Sequence, residues 1–537
     1  MIKFLVFFCW ALLFALPHHT IAYPLDAYPQ TEIRRLEAAR LAVLAKSRNR
    51  PQAPGALLPA SLVNLRLLNH SDLQLPIPDP DFSERAIALL GEQADLYGLA
   101  ILDLSDPDHP RYAEHRADFA QNVGSVGKIA VALAFFQALA DTYPHDLDKR
   151  RQILRETIIT ADKFILYDEH KVHLWNPQKE TLQIRELRLG DRGSLWEYLD
   201  WTLSASSNAA AAMLMKQAML LRHFGQDYPL KDDRAVAFFK DTPRQQLLNL
   251  YKQTFLVPLT RNGLDLKSFR QGSFFTYNGK QQLPTGYSSY GTARELMHFL
   301  VLMEQGKLVD TFSSLEIKRL LYMTKHRIRY ASSPALDDSA VYFKSGSLYS
   351  CNNAPGVACK KYQGNVRNHM NSIAVVETPA GIKRLFYITV LISNVLDKNS
   401  AVDHQTLATK IHRSIEADHP PPPTPPGQIP ADLLFGQQLI GFEDEQQARL
   451  QAAEIQLHLT SLGYDIGPID GQVGRKTRSA IKAFQNSHQL EVDGKSSVQL
   501  LEKLKIATEK FTLPGTSQNS QTKLLPKRFR QNETISS

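Results

Sequence analysis

Ser125, Lys128, Ser206, Asn208 and Lys344 fall in three short motifs, Ser125-Val-Gly-Lys128, Ser206-Ser207-Asn208 and Lys344-Ser345-Gly346, in one order along the chain. A serine hydroxyl is a poor nucleophile until a neighbouring base takes its proton. A lysine is such a base only when burial or a nearby cation lowers its pKa. One hydroxyl, one amine three residues on and a second lysine beside them make a set for acyl transfer through serine, with lysine in the place of histidine. Each motif alone is common: Ser-x-x-Lys recurs at Ser479–Lys482 and Ser520–Lys523, and Ser-x-Asn at Ser350–Asn352 and Ser517–Asn519. Only the ordered triple is informative.

The elements around the motifs must bring them together. Ile129 to Phe136 is a strong helix pattern that sets Ser125 at a first turn, so Lys128, three residues on, shares its face and points its amine toward the hydroxyl. Lys344 is the expected cationic neighbour of Lys128. The same helix start offers N–H groups and a partial positive charge to a developing oxyanion. Ser206-Ser207-Asn208 precedes Ala209 to Met215, another loop feeding a helix, where Ser206 relays a proton to the leaving group and Asn208 orients the substrate amide or Lys128. Read alone, the cluster is an N-cap. Lys344 follows Ala340 to Phe343 and reads as a strand at the edge of the site; Lys344 there binds a substrate carboxylate and Gly346 allows close backbone approach.

A helical pattern from about Ser83 to Leu96 leads into a strand over Leu99–Asp103, a turn cluster Ser105–Pro110 and an extended segment near Tyr112. Ser372–Val376 and Leu385–Ile392 read as buried strands joined through Pro379-Ala-Gly381. Strands at both ends with helices between predict an α/β (α+β) domain whose sheet joins its termini.

These residues resemble the penicillin-recognising serine enzymes, class A β-lactamases and the related D-alanyl-D-alanine peptidases, over roughly residues 80–416. The resemblance implies Ser125 as the acylated nucleophile, Lys128 as its base, Ser206 and Asn208 as the second motif, and Lys344 and Ser345 as the strand motif. It also implies an oxyanion hole from the N–H groups of Ser125 and Ser347, with Gly346 beside it. Two insertions depart from the family, one around Tyr167–Arg192 that contains His170 and His173, the other between Asn208 and Lys344. The family's Glu-x-x-Leu-Asn loop, whose glutamate activates the deacylating water, is absent: between the second and third motifs the glutamates are Glu295, Glu304 and Glu316, all in helical contexts, and Asp265 is a weak substitute. His170 and His173 lack a third ligand and read as solvated, so neither a metal nor another cofactor is expected.

After the proline-rich stretch from Asp418 to Pro430, a stiff spacer, Leu459–Tyr464, Gly467–Gly471, Gly474–Ile481, Phe484-Gln485 and Val492–Gly494 resemble the small three-helix peptidoglycan-binding module of wall-acting enzymes. Gly471 and Gly494 suit turns of positive φ, Thr477 and Ser479 lie near a helix start, and Ile481 with Phe484 supplies the buried face. The expected order is a signal peptide (1–22), an extension (23–79), the serine hydrolase domain (80–416), a linker (417–440), the binding domain (441–506) and a disordered tail (507–537) containing Lys527–Arg530.

The 537 residues exceed one compact core, and the net charge of +8 is too mild over this length to call for nucleic acid. Phe4–Leu16 and Ala22 read as a signal sequence with Cys9 inside it, and no later stretch is long and apolar enough to span a bilayer. The expected protein is periplasmic or secreted and associated with the cell wall. Cys351 and Cys359 then either close a small loop by a disulfide or remain free thiols. The expected partners are peptidoglycan, through stem peptide or glycan, and β-lactams as covalent ligands. The function read here is an acyl-serine hydrolase of stem peptides; a class A-like β-lactamase and a catalytically silent wall-binding protein are the rival readings.

Overall fold

The computed structural model describes residues 27–44, 54–56, 58–324, 327–352, 359–381, 384–420, 443–467, 469 and 471–512. The signal sequence, most of the proline-rich stretch, and the tail beyond Thr512 lie outside the described residues. The chain divides into two compact units, one ending at the proline-rich stretch and one containing the residues from Asp444 on.

The first unit is built on a five-stranded sheet of β1 (Tyr97–Asp103), β2 (Arg111–His115), β3 (Ala340–Ser350), β4 (Arg367–Thr378) and β5 (Leu385–Asn394). Their spatial order is β2-β1-β5-β4-β3 and every pairing is antiparallel, with Tyr97 opposite Ser393 and Lys344 opposite Ile373. Of the two descriptions offered by the sequence, α+β is therefore the fitting one. Alternate side chains serve two cores, because successive residues of a strand point to opposite faces. Leu99 and Ile101 pack with Phe82, Ala86 and the terminal helix residues Leu407 and Ile411, whereas Ala100 and Leu102 join the large helical core on the other face. That larger core holds the helix Lys128–Thr142, whose residues from Lys128 to Ala140 are all buried.

By length and composition Gly124–Thr142 also passes as a membrane-spanning helix, which the sequence reading did not anticipate, but it lies inside the fold. It is apolar all round because the core surrounds it.

The described residues between 27 and 79, within the stretch 23–79 read as an extension, contribute to this core. Ile33, Leu36, Leu58, Val63 and Leu67 are fully buried, and Arg35 pairs with Asp200 at 2.5 Å in the interior. A second buried cluster lies between helices Ala293–Glu304 and Thr311–Tyr322 and the sheet. Lys318 donates to Glu377 at 2.8 Å, Glu304 at 2.9 Å and the Asn64 carbonyl at 2.7 Å, while Arg66 donates to Glu377 at 2.5 Å. Each charge there has a partner, which burial in low dielectric demands.

The domain's last helix runs through Asp418, where the spacer was expected to begin; Arg85 and Arg111 hold that carboxylate at 2.7 and 3.0 Å. Cys351 and Cys359 form a disulfide with their Cα atoms 5.5 Å apart.

The second unit contains helices Glu443–Ser461, Arg475–Ser487 and Val498–Thr512 around Ile455, Leu459, Ile481, Phe484, Leu500 and Leu504. Gly471 and Gly494 have φ of 68° and 71°, left-handed values that glycine adopts without steric cost. The last helix continues six residues into the stretch read as tail.

Candidate active site

Ser125 lies in the short turn Gly124–Gly127 that runs directly into the helix from Lys128. The tight entry aligns residues 125 and 128, and Lys128 Nζ donates to Ser125 Oγ at 2.7 Å. The same ammonium donates to the Ser206 carbonyl at 2.8 Å and to Asn208 Oδ1 at 2.7 Å. Of the two tasks considered for Asn208, the structure shows it holding Lys128.

Ser207 caps the helix Asn208–Phe224 by accepting from Ala210 N–H, and Ser206 just before it has φ of 59°. That left-handed conformation costs a residue with a Cβ about 1 kcal/mol or more. It lets one residue serve both lysines: the Ser206 carbonyl takes Lys128, and its hydroxyl accepts from Lys344 Nζ at 2.8 Å.

Lys344 comes from β3, the edge strand, and also donates to the Ser345 carbonyl at 2.8 Å. The strand reaches the serine turn through two glycines. A Cβ on Gly346 would lie 1.9 Å from the Val123 carbonyl and 3.0 Å from Ser125 N, and one on Gly124 would lie 2.7 Å from Ser347 N. Larger residues at either position would push the strand away. Ser125 N and Ser347 N thereby lie on facing segments, the arrangement an oxyanion hole needs.

Both lysines are buried, and among the described residues no carboxylate is bonded to either ammonium. Burial pushes the Lys128 pKa down to about 7, against a smaller pull upward from the Asp168 carboxylate. Burial also holds Lys344 well below its usual value, helped by the charges of Lys128 and Arg329. Of the two causes the sequence left open for Lys128, burial or the Lys344 cation, burial is the one that lowers it, and the neighbouring cations act on Lys344 instead.

Four residues that the motifs do not contain complete the site. Asp168 accepts from Ser207 Oγ and Ala209 N, both at 2.8 Å, and bonds His170 Nδ1 at 2.5 Å. Burial opposes its charge, but His170 and these donors outweigh it and keep the carboxyl below its ordinary range. Phe275 lays its ring 4.5 Å from Lys128 Nζ, and Gln271 packs against Gly127. Arg329, buried and at φ 53°, donates to the Gly346 carbonyl at 3.0 Å and fixes the edge strand from behind. Their signal lay in no spacing rule; the only sequence trace was an acidic and an aromatic residue inside the two insertions.

The histidine reading divides. His170 is partly exposed and bound to Asp168, but His173, read as solvated, is buried in the hairpin of Val172–Asn176 with Thr181–Arg185, where its carbonyl accepts from Trp201 Nε1. No group of three or more metal-ligating side chains is found among the described residues.

The three glutamates between the motifs are engaged outside the lysine cluster: Glu295 with Asp265 N–H, Glu304 with Lys318 and Glu316 with Arg319. Asp265 accepts from Lys267 N–H and Ser268 Oγ within its own turn.

Residues 82–366, more than half the chain, match the family model described as the β-lactamase enzyme family. The chain belongs to that family. It is a serine hydrolase of the β-lactamase and penicillin-recognising type, and residues 449–504 match a putative peptidoglycan binding domain. No curated protein matches it. Among solved structures it is similar to a mutant of PBP-A in its acyl-enzyme complex with penicillin G, at 12% identity over 64% of this chain and 100% of that one, TM-score 0.41. It is also similar to a β-lactamase from Chitinophaga pinensis, at 17% identity over 63% of this chain and 98% of the other, TM-score 0.40. Another from Sphaerobacter thermophilus matches at 14% identity over 64% and 99%, TM-score 0.41.

Proposed function

We propose that this member of the β-lactamase enzyme family is an exported, wall-associated acyl-serine enzyme acting on peptidoglycan stem peptides. The observation that carries the reading is the 2.7 Å bond between Ser125 Oγ and a buried amine whose pKa is about 7. Such an amine is half neutral at neutral pH and takes the serine proton as Oγ attacks the scissile carbonyl. The N–H groups of Ser125 and Ser347 receive the oxyanion. The proton then reaches the leaving amine through Ser206, whose hydroxyl lies 2.8 Å from Lys344 Nζ. The leaving amine departs with that proton and the acyl group remains on Ser125. Lys344 and Ser345 offer the cation and hydroxyl for the substrate's terminal carboxylate.

A stem peptide is favoured over rapid β-lactam turnover because Glu295, Glu304 and Glu316, the glutamates between the second and third motifs, are engaged with Asp265 N–H, Lys318 and Arg319 and do not supply a carboxylate to activate a deacylating water, while Phe275 lies over Lys128. The C-terminal domain supports the polymer as substrate by holding the enzyme on the same material.

Intact-mass measurement after penicillin exposure tests the reading. A single adduct that persists and is lost in Ser125→Ala is the expected result. Fast nitrocefin turnover with no accumulating adduct would support a β-lactamase instead, and no adduct with any β-lactam would leave a wall-binding protein with a silent site.

A further inference from the structure

Asn371 is an amide where the strand pattern calls for an apolar residue. Every second side chain of β4 faces the large helical core, as Ile373 and Val375 do. Asn371 lies two positions before Ile373 on that face and is fully buried. A buried amide is costly unless it is hydrogen-bonded, so its partners show what it is there to hold.

Those partners fix its orientation. Gln121 Nε2 lies 3.2 Å from the Ser393 carbonyl and 3.4 Å from the Met370 carbonyl, which makes that nitrogen the donor end, and it donates to Asn371 Oδ1 at 2.8 Å. Asn371 Nδ2 therefore faces two further carbonyls, donating to Asn122 at 3.3 Å and to Gly346 at 3.5 Å. The first belongs to the stretch that enters the serine turn: Asn122 Oδ1 accepts from Gly124 N at 2.9 Å, and Ser125 follows. The second belongs to β3, where Gly346 is the direct partner of Asn371 across the sheet and Ser347 comes next. One amide thus ties together the two segments that carry the N–H groups of Ser125 and Ser347.

We propose that Asn371 is a positioning residue that sets the separation of the two oxyanion donors, an inference that rests on the acyl-serine reading of Ser125. It acts through the backbone of both segments. Contact between Gly346 and the Val123 carbonyl stops the segments from closing further, and the bonds of Asn371 stop them from parting. Gln121 steadies the amide in turn, since its own N–H and carbonyl pair with Gly291 at 3.2 and 3.0 Å. A hole of fixed width presents both donors to the oxyanion with no rearrangement during the reaction.

The test uses the full-length protein and a penicillin that acylates Ser125. Stopped-flow acylation over a range of penicillin concentrations separates the half-saturating concentration from the limiting rate. Infrared difference spectra of the acyl-enzyme read the ester carbonyl, whose stretch falls as donors bind it. Asn371→Leu keeps a similar volume and removes the bonds. Its limiting rate should fall about 10–100-fold, less than the loss of a whole donor, with half-saturation within about twofold of wild type. The carbonyl band should move to higher wavenumber, toward its position in the denatured acyl-enzyme. If the leucine variant does not fold, Asn371→Ser, too short to reach both carbonyls, must show the same two changes. A band at the wild-type position in a folded variant overturns the proposal whatever the rate, and so does a loss confined to half-saturation; both leave Ser125 in its role. Failure of wild type to label at all instead removes the acyl-serine reading, and this proposal with it.

Discussion

Two parts of the catalytic unit bury lysine, and they treat its charge in opposite ways. Lys318 is fully buried with Glu304, Glu377 and Arg66 around it, each bond between 2.5 and 2.9 Å. Lys128 and Lys344 are as deeply buried, yet their ammonium groups meet hydroxyl, amide and carbonyl oxygens and, for Lys128, the face of Phe275. Carboxylates keep a buried cation charged and inert as a base. Neutral oxygens satisfy its geometry without repaying desolvation, so the proton is held loosely. Among the described residues, the absence of a carboxylate contact, rather than burial itself, distinguishes Lys128 and Lys344 from Lys318.

Substituting each lysine by methionine should give reversed outcomes. Lys128→Met loses acylation by β-lactam by about 10²–10⁴-fold while unfolding in urea near the wild-type midpoint, because no opposite charge is left behind. Lys318→Met leaves two carboxylates facing each other without it and lowers stability by about 3–5 kcal/mol in the same titration, while the folded fraction still labels at Ser125. Equal stability losses in the two variants would remove the distinction.

The pH profile sharpens it. Lys128 acts as the neutral amine, so the acylation rate climbs about tenfold per unit below pH 7 and levels above it. Asp168 raises the Lys128 pKa, and Asp168→Asn should therefore move the bend to lower pH by less than the span set by burial. A bend that moves upward, or does not move, would show that Asp168 acts only as a helix cap.

The sequence made the residues of the three motifs and the strands around them readable, because each motif has its own local signature: a serine before a helix, a capped loop, and a glycine within the strand Ala340–Ser350. What it hid was supplied across insertions. Phe275, Gln271 and Asp168 reach the site from loops whose positions depend on contacts such as Thr276 with Phe164 and Ser207 with Asp168, and no periodicity encodes them. Arg329 is hidden likewise, a residue of positive φ whose partner is a strand carbonyl 17 positions on. The N-terminal segment was misplaced for a related reason: Ile33, Leu58 and Leu67 are scattered apolar residues without period, and only their partners make them core.

Sheet order has a consequence for how the polypeptide acquires its shape. β1 lies between β2 and β5, with Tyr97 against Ser393 and Asp103 against Tyr387, so a ribosome must deliver almost the whole unit before the fifth strand can slot into the gap. Until then Leu99 to Leu102 present an apolar ribbon lacking one neighbour. Such distant pairing slows self-assembly and invites association between nascent copies, so a chaperone that shields this ribbon should raise the yield of native enzyme.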